Sequence, residues 1–371
     1  MNKQRLTGLI KKEFIQIIRD PSAIAIAFVM PVILLFIFGY GVSLDAHHVP
    51  VAIVVDQPTH ESSEFIAGLN QSDYFTPQYF SSMSDAQQAV IAHQVNAILW
   101  LRDDFAKNLY QSKTAPISTL INGTDANNAH LIEGYLQGVW QVWLTQYATY
   151  HAKPFIIPVS TQSRIWFNPA LRSRDYLVPG LIAVIMTLIG ALLTALVVAR
   201  EWERGTMEAL MASPVSMSEI LLGKLIPYFI MGMGGMLLSV ALAVTLFHVP
   251  LRGSLFILLI LSALFLLVAL GMGLLISSIA KNQFVAGQIA IIVTFLPAFI
   301  LSGFVFDIHS MPVPIQVITH IVAARYYVSI LQTLFLAGDI WPILINNGIA
   351  LLVMAIFFLG LTWRRSRKRL D

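Results

Sequence analysis

Residues able to do chemistry gather at four places in the chain. The densest is Arg200 to Pro214, REWERGTMEALMASP, set between two long uncharged runs. Glu201 and Arg204 stand three apart and Arg204 and Glu208 four apart, so on a helix they face one another. Gly205-Thr206 interrupts the first turn, a helical stretch through Leu210 follows, and Ser213-Pro214 forces a turn. Ser216 with Glu219 forms a capping box that starts a new helix. The string reads as helix, turn, helix with its charges outward, a surface for another protein to grip. The second place holds His47, His48, His60 and His93, whose spacing fits no pattern of metal ligands. At the third, Asp307 and His309 lie close, with His320 and Arg325 after them, but no serine motif or ligand series accompanies them as an enzyme requires. The fourth is Gly223-Lys224, which lacks the upstream glycine and the following hydroxyl of a phosphate-binding loop. The chain is therefore expected to hold no nucleotide, metal or other cofactor and to catalyse nothing itself. With no cysteine, disulfides and thiolate chemistry are excluded.

The elements around these residues are those of a membrane protein. Hydrophobic residues make up 57% and charged residues 12% of the chain, against about 25% charged in soluble domains. Six intervals carry no Asp, Glu, Lys or Arg: 21–44, 176–199, 225–251, 253–280, 282–306 and 340–363. Each exceeds the roughly 20 residues needed to cross the hydrocarbon, and none shows the polar face of a soluble helix. The first is too long for the core of a cleavable leader. The fold class expected is an α-helical polytopic membrane protein of six spans, with an α/β domain inserted between spans one and two.

Six spans put both termini on one side. Lys3, Arg5, Lys11, Lys12 and Arg19 at the start, and Arg364, Arg365, Arg367, Lys368 and Arg369 at the end, mark that side as cytoplasmic. The loop at 200–219, Lys224 and Lys281 fall on it too, and 45–172 on the other. The net charge of +3 follows from this topology and calls for no nucleic acid. Residues 1–20 read as a basic amphipathic helix lying on the inner lipid surface, with Leu6, Leu9, Ile10, Phe14, Ile17 and Ile18 on its apolar stripe and Asp20-Pro21 ending it. Within 45–172, strands are expected at 51–55, 97–101 and 117–121, helices near 61–69, 85–93 and 104–111, and a long amphipathic segment over 127–150. Residues 304–335 are apolar but broken by Pro312 and Pro314. They read as a re-entrant or interfacial pair of short helices turning at 311–314, lining a wet cavity or closing one.

The string REWERGTMEALMASPVSMSEILLGKLIPY resembles the loop and third span of ABC type 2 exporter permeases. The likeness runs through Arg200, Glu201, Glu203, Arg204, Gly205, Thr206, Glu208, Leu210, Ser213 and Pro214, and through Tyr176-Leu177-Val178-Pro179-Gly180 at the entrance to span two. It extends to the whole layout of elbow helix, span, large outer domain, five spans and basic tail at the end of 173–371. The resemblance implies a permease subunit in a bacterial inner membrane, with 45–172 periplasmic. It implies pairing with an identical or related permease subunit, docking on a separate ATP-binding cassette ATPase through Arg200 to Pro214 and the elbow, and a periplasmic adaptor in some systems. ATP and Mg would then sit on the ATPase. Asp307, His309, Pro312, Pro314 and Arg325 are the outer lid candidates.

Two other readings compete. An ion-coupled secondary transporter would hold ionisable groups inside its spans, and the six uncharged intervals offer only His248, near an outer end. A non-transporting structural subunit would leave the charged loop without a task. A pathway lined by apolar and aromatic residues favours amphipathic, drug-like or lipid-like cargo.

Overall fold

The computed structural model describes residues 2–41, 48–92, 94–110, 117–122, 126–150 and 172–365. His47, His93 and the tail residues Arg367, Lys368 and Arg369 lie outside them, as do 151–171 of the inserted segment. Contacts divide the chain into two compact units, Met1–Ser43 with Ile165–Asp371, and Leu44–Arg164.

The first unit opens with helix α1 (Lys3–Ile18), capped by the Asn2 side chain. Asp20 ends it and caps the next helix, accepting from the backbone N–H groups of Ser22 and Ala23. That helix, α2 (Pro21–Gly41), is long and apolar enough to span a membrane. It widens into a π-turn over Ala25–Val29, just before Pro31, which lacks the N–H an α-helix would need there. The same arrangement recurs below, where a π-turn at Ile291–Phe295 precedes Pro297.

The second unit is a four-stranded sheet in the order β2-β1-β3-β4. Strands β1 (Val49–Val55), β2 (Phe75–Phe80) and β3 (Ala97–Leu101) run parallel, and β4 (Ser118–Ile121) pairs with β3 antiparallel. Helices α3 (His60–Asn70), α4 (Met83–Ile91), α5 (Phe105–Tyr110) and α6 (Ala126–Tyr150) cover both faces. Strand side chains alternate between faces, so Val49, Val51 and Ile53 pack with Phe65, Leu69, Leu136 and Trp143, while Ala52 and Val54 pack with Ala86 and Ala89 of α4. Strand β2 is absent from the sequence reading. Pro77 interrupts its pattern, and it is tolerated because β2 is an edge strand that need not donate on its free side.

The chain then returns to the first unit through α7 (Ser173–Glu203), the centre of the bundle. Of its most apolar stretch 89% is buried, against 22% for α2. Around it stand α8 (Thr206–Ala212), α9 (Met217–Thr245), α10 (Leu255–Ala280), α11 (Gln283–Leu301), α12 (Val313–Thr319), α13 (Ala323–Ala337) and α14 (Trp341–Arg365). Six helices of the described residues are long and apolar enough to cross a membrane: α2, α7, α9, α10, α11 and α14. Helix α7 packs on α10 through small residues. Ala191, Ala195 and Ala199, small residues at four-residue spacing that permit close packing, are buried within this subunit. Thr194 and Ser277 stitch the seam, donating to the carbonyls of Leu270 (3.0 Å) and Ala195 (2.5 Å).

Helices α12 and α13 meet at a bend of 83°. The break falls at 320–322, not at 311–314 as the prolines suggest in sequence. Pro312 caps α12 and Pro314 occupies its first turn, where a missing N–H costs nothing because that donor has no helical partner.

Candidate functional site

The charged loop is built by three consecutive helix ends. Helix α7 closes at Glu203, and Gly205 reverses the chain with φ of +68°, a left-handed conformation glycine adopts without strain. Helix α8 is short; Met207 is buried and Leu210 half-buried against Val198 and Leu274. The Ser213 hydroxyl donates to the Leu210 carbonyl. Pro214 precedes a complete capping box, in which Ser216 and Glu219 each accept the other's backbone N–H and open α9.

Beneath this loop lies a box of four charges. Glu201 is 4% exposed, Glu13 2% and Lys224 2%. The Lys224 ammonium donates to Glu13 at 2.7 Å and to Glu201 at 3.1 Å, and Lys12 donates to Glu201 at 2.8 Å. The Thr206 hydroxyl donates to the other Glu201 oxygen. One Glu13 oxygen is buried without a hydrogen-bond partner. Burial opposes the charge on Lys12, but the hydrogen bond it donates to Glu201 and the negative charges of Glu13 and Glu201 outweigh it and raise its pKa above 10.5. Two lysines balance two glutamates, which is how buried charge is tolerated. The box ties α1, α7 and α9 together. Gly223 allows the close approach, since a Cβ there would stand 2.9 Å from that of Leu9.

Further ties surround the box. Arg200 pairs with Asp20. Burial pushes the Asp20 carboxyl up, but hydrogen bonds from Ser22 and then Arg200, with the Arg200 charge, hold it below 3.8. Glu203 accepts twice from Gln283 at the start of α11, at 2.9 and 2.8 Å. Asn2 donates its backbone N–H to Glu219, and Arg5 donates to the Pro214 carbonyl at 2.5 Å. Lys281 lies over the Trp202 ring, 4.7 Å from its centroid.

The loop charges thus separate into two groups, whereas the sequence reading has them all outward. Glu201 is buried and Arg200 and Glu203 are engaged within the chain. Arg204 and Glu208 are exposed, and neither side chain has a hydrogen-bond or ion-pair partner among the described residues. Sequence reasoning missed Glu13 and the true place of Lys224. The signal was present: Glu13 stands three residues from Ile10 and four from Ile17, an acid on an apolar stripe. Lys224, noted in sequence only beside Gly223, has its amine held by two carboxylates.

The other candidates are dispersed. Asp307 and His309 are exposed, and the Asp307 carboxylate accepts the backbone N–H of His309 as the cap of a 3-10 turn. Arg325 donates to the Thr319 hydroxyl at 2.5 Å across the bend. Tyr176 donates to the Gly303 carbonyl at 3.0 Å, and Gly180 receives the Phe304 ring. The Tyr176–Gly180 motif therefore fixes the start of α7 to the end of α11. These residues stand a full length of α11 from Gln283, about 28 Å. Among the described residues no three His, Asp or Glu side chains converge as a metal site.

Residues 22–364 match the family described as ABC-2 family transporter protein. The chain is 45% identical to the probable multidrug ABC transporter permease YbhS of Escherichia coli K12, over 99% of this chain and 98% of that one. It is 29% identical to the probable multidrug ABC transporter permease YbhR of the same strain, over 92% and 94%. To the inner membrane transport permease YhhJ of that strain it is 23% identical, over 86% and 85%.

Proposed function

The chain belongs to the ABC-2 family of transporter proteins, and we propose that it is the permease subunit of an ATP-driven exporter of amphipathic, drug-like molecules. It pairs with a second permease subunit, identical or related, and a separate ATP-binding cassette ATPase supplies the energy. Residues 1–20 form a cytoplasmic elbow, 45–172 a periplasmic domain open to an adaptor, and both termini are cytoplasmic in an inner membrane.

One observation carries the mechanism: the loop presents Arg204 and Glu208 outward while Glu201 is locked into the box with Lys224, Glu13 and Lys12. The exposed charges with Gly205 and Thr206 meet the ATPase. The box makes the loop rigid with α1 and α9, and the bonds from Glu203 to Gln283 extend that rigidity to α11. A push on the loop is then delivered to four helices instead of being lost in a flexible connector. At the other end of α11, the segment with Asp307, His309, Pro312, Pro314 and Arg325 acts as the outer lid, coupled through Tyr176 and Gly303.

Inverted membrane vesicles from cells carrying the chain and its ATPase test this. ATP should drive uptake of a fluorescent amphipathic dye even with a protonophore present, and reversing Arg204 and Glu208 together should stop uptake while the protein still inserts. Uptake that ATP leaves unchanged and a protonophore abolishes would establish the ion-coupled carrier instead.

A further inference from the structure

An open pocket of about 670 Å³ lies where α1, α2, the end of α7 and the start of α11 come together. Four basic residues line it, Lys12, Arg19, Arg200 and Arg204, against a single acid, Asp20. Arg200 is taken by Asp20 and Lys12 by Glu201. The Arg19 and Arg204 guanidiniums have no hydrogen-bond or ion-pair partner among the described residues. The pocket therefore presents two free, permanently charged forks, the geometry that takes a phosphate group in paired hydrogen bonds.

Its height in the molecule is fixed by the helices that bound it. Pro21 opens α2, Arg200 stands one turn before the end of α7, and Gln283 opens α11. Three spans begin or end there, the level of the lipid headgroups. Ile15 in the lining is 43% exposed, and Ile18 and Phe284, next in the chain to the lining residues Arg19 and Gln283, are 65% and 73% exposed. A soluble anion needs no such skirt, and an acidic protein surface would leave these side chains in water. A phospholipid fits both parts, since basic pockets between spans hold anionic headgroups.

We propose that this pocket binds the headgroup of an anionic phospholipid, its phosphate taken by Arg19 and Arg204 and its acyl chains lying along Ile18 and Phe284. The inference requires only that the chain spans a membrane, so it stands or falls separately from the transport reading. The same Arg204 is one of the exposed charges of the loop, which places the lipid beside the proposed coupling surface.

The test is native mass spectrometry of the full-length chain in detergent, titrated with phosphatidylglycerol and with phosphatidylcholine. Phosphatidylglycerol should be retained preferentially. Arg19→Gln should weaken its binding roughly fivefold and Arg19→Glu roughly twenty-five-fold, at about one surface charge's worth per step, while phosphatidylcholine binding is unchanged. Arg19→Lys should keep most of the preference, and its retention shows that the losses are not unfolding. Equal retention of the two lipids by the natural chain would overturn the proposal. So would full competition by millimolar inorganic phosphate, which would identify a free-anion site. If Arg19→Glu leaves the lipid preference intact and instead abolishes co-purification of the ATPase, the pocket is a protein contact and the proposal is wrong.

Discussion

Lys224 is held between Glu13 and Glu201 with 2% of its surface exposed, so the cost of removing it is the cost of leaving two acids buried with only Lys12 to balance them. Lys224→Met should destabilise the detergent-solubilised chain by about 3–5 kcal/mol, the range for breaking a buried pair. Adding Glu13→Gln should recover part of the loss, because one orphaned charge is then gone. An unchanged thermal midpoint for the single variant would show that the box holds nothing. Asp20 offers a test by pH. Its pKa is lowered by the Ser22 and Arg200 bonds, so its contribution is fully present above the ordinary value of 3.8 and is lost as pH falls through the lowered one. Asp20→Asn should therefore lose stability at neutral pH and flatten the acid limb of the midpoint–pH curve. A variant curve parallel to that of the natural chain would refute the pair. The outward charges were legible in sequence because exposure needs only a polar run between two apolar ones. The inward ones were not, because burial of Glu201 depends on partners 23 and 189 positions away, and no local pattern reports a contact of that separation.

At the scale of elements, the seam between α7 and α10 sets the architecture. A Cβ on Gly273 would overlap the Thr194 hydroxyl and the Ala191 carbonyl, while one on Gly360 would meet open space. Alanine favours a helix over glycine by roughly 0.5–1 kcal/mol, so the two substitutions should differ in sign. Gly360→Ala should raise the thermal midpoint slightly. Gly273→Ala should lower it, since one of the atoms it meets is backbone and cannot step aside. Equal shifts would mean the seam is looser than its geometry. The six long helices were readable because roughly 20 uncharged residues have few other uses. The strands β1 and β3 were readable as continuous apolar runs. What failed was proline. In β2 it masked an edge strand, and in α12 it was taken for a break when it marks a start. Proline's effect depends on whether its missing N–H had a partner, and that is decided by neighbours in space.

For the whole molecule, the proposed topology assigns each loop a face from the order of spans and the basic ends. Helix α11 connects the region of the charged loop, through Gln283 and Glu203, to the segment at 304–319. If α11 crosses the membrane, Glu208 and Val313 lie on opposite sides. Both are exposed, Val313 at 72%, and the natural chain contains no cysteine, so single cysteines report without background. A membrane-impermeant thiol reagent should label Glu208→Cys in inverted vesicles only and Val313→Cys in spheroplasts only. Trapping the ATPase with nucleotide should then change labelling between 307 and 318, because the proposed lid follows Gly303, whose carbonyl accepts from Tyr176 of α7, and α7 ends in the loop proposed to couple. Labelling of both cysteines from one side would break the six-span topology and with it the outer lid. Opposite-sided labelling that is indifferent to nucleotide would keep the topology and confine the lid to a static role in packing.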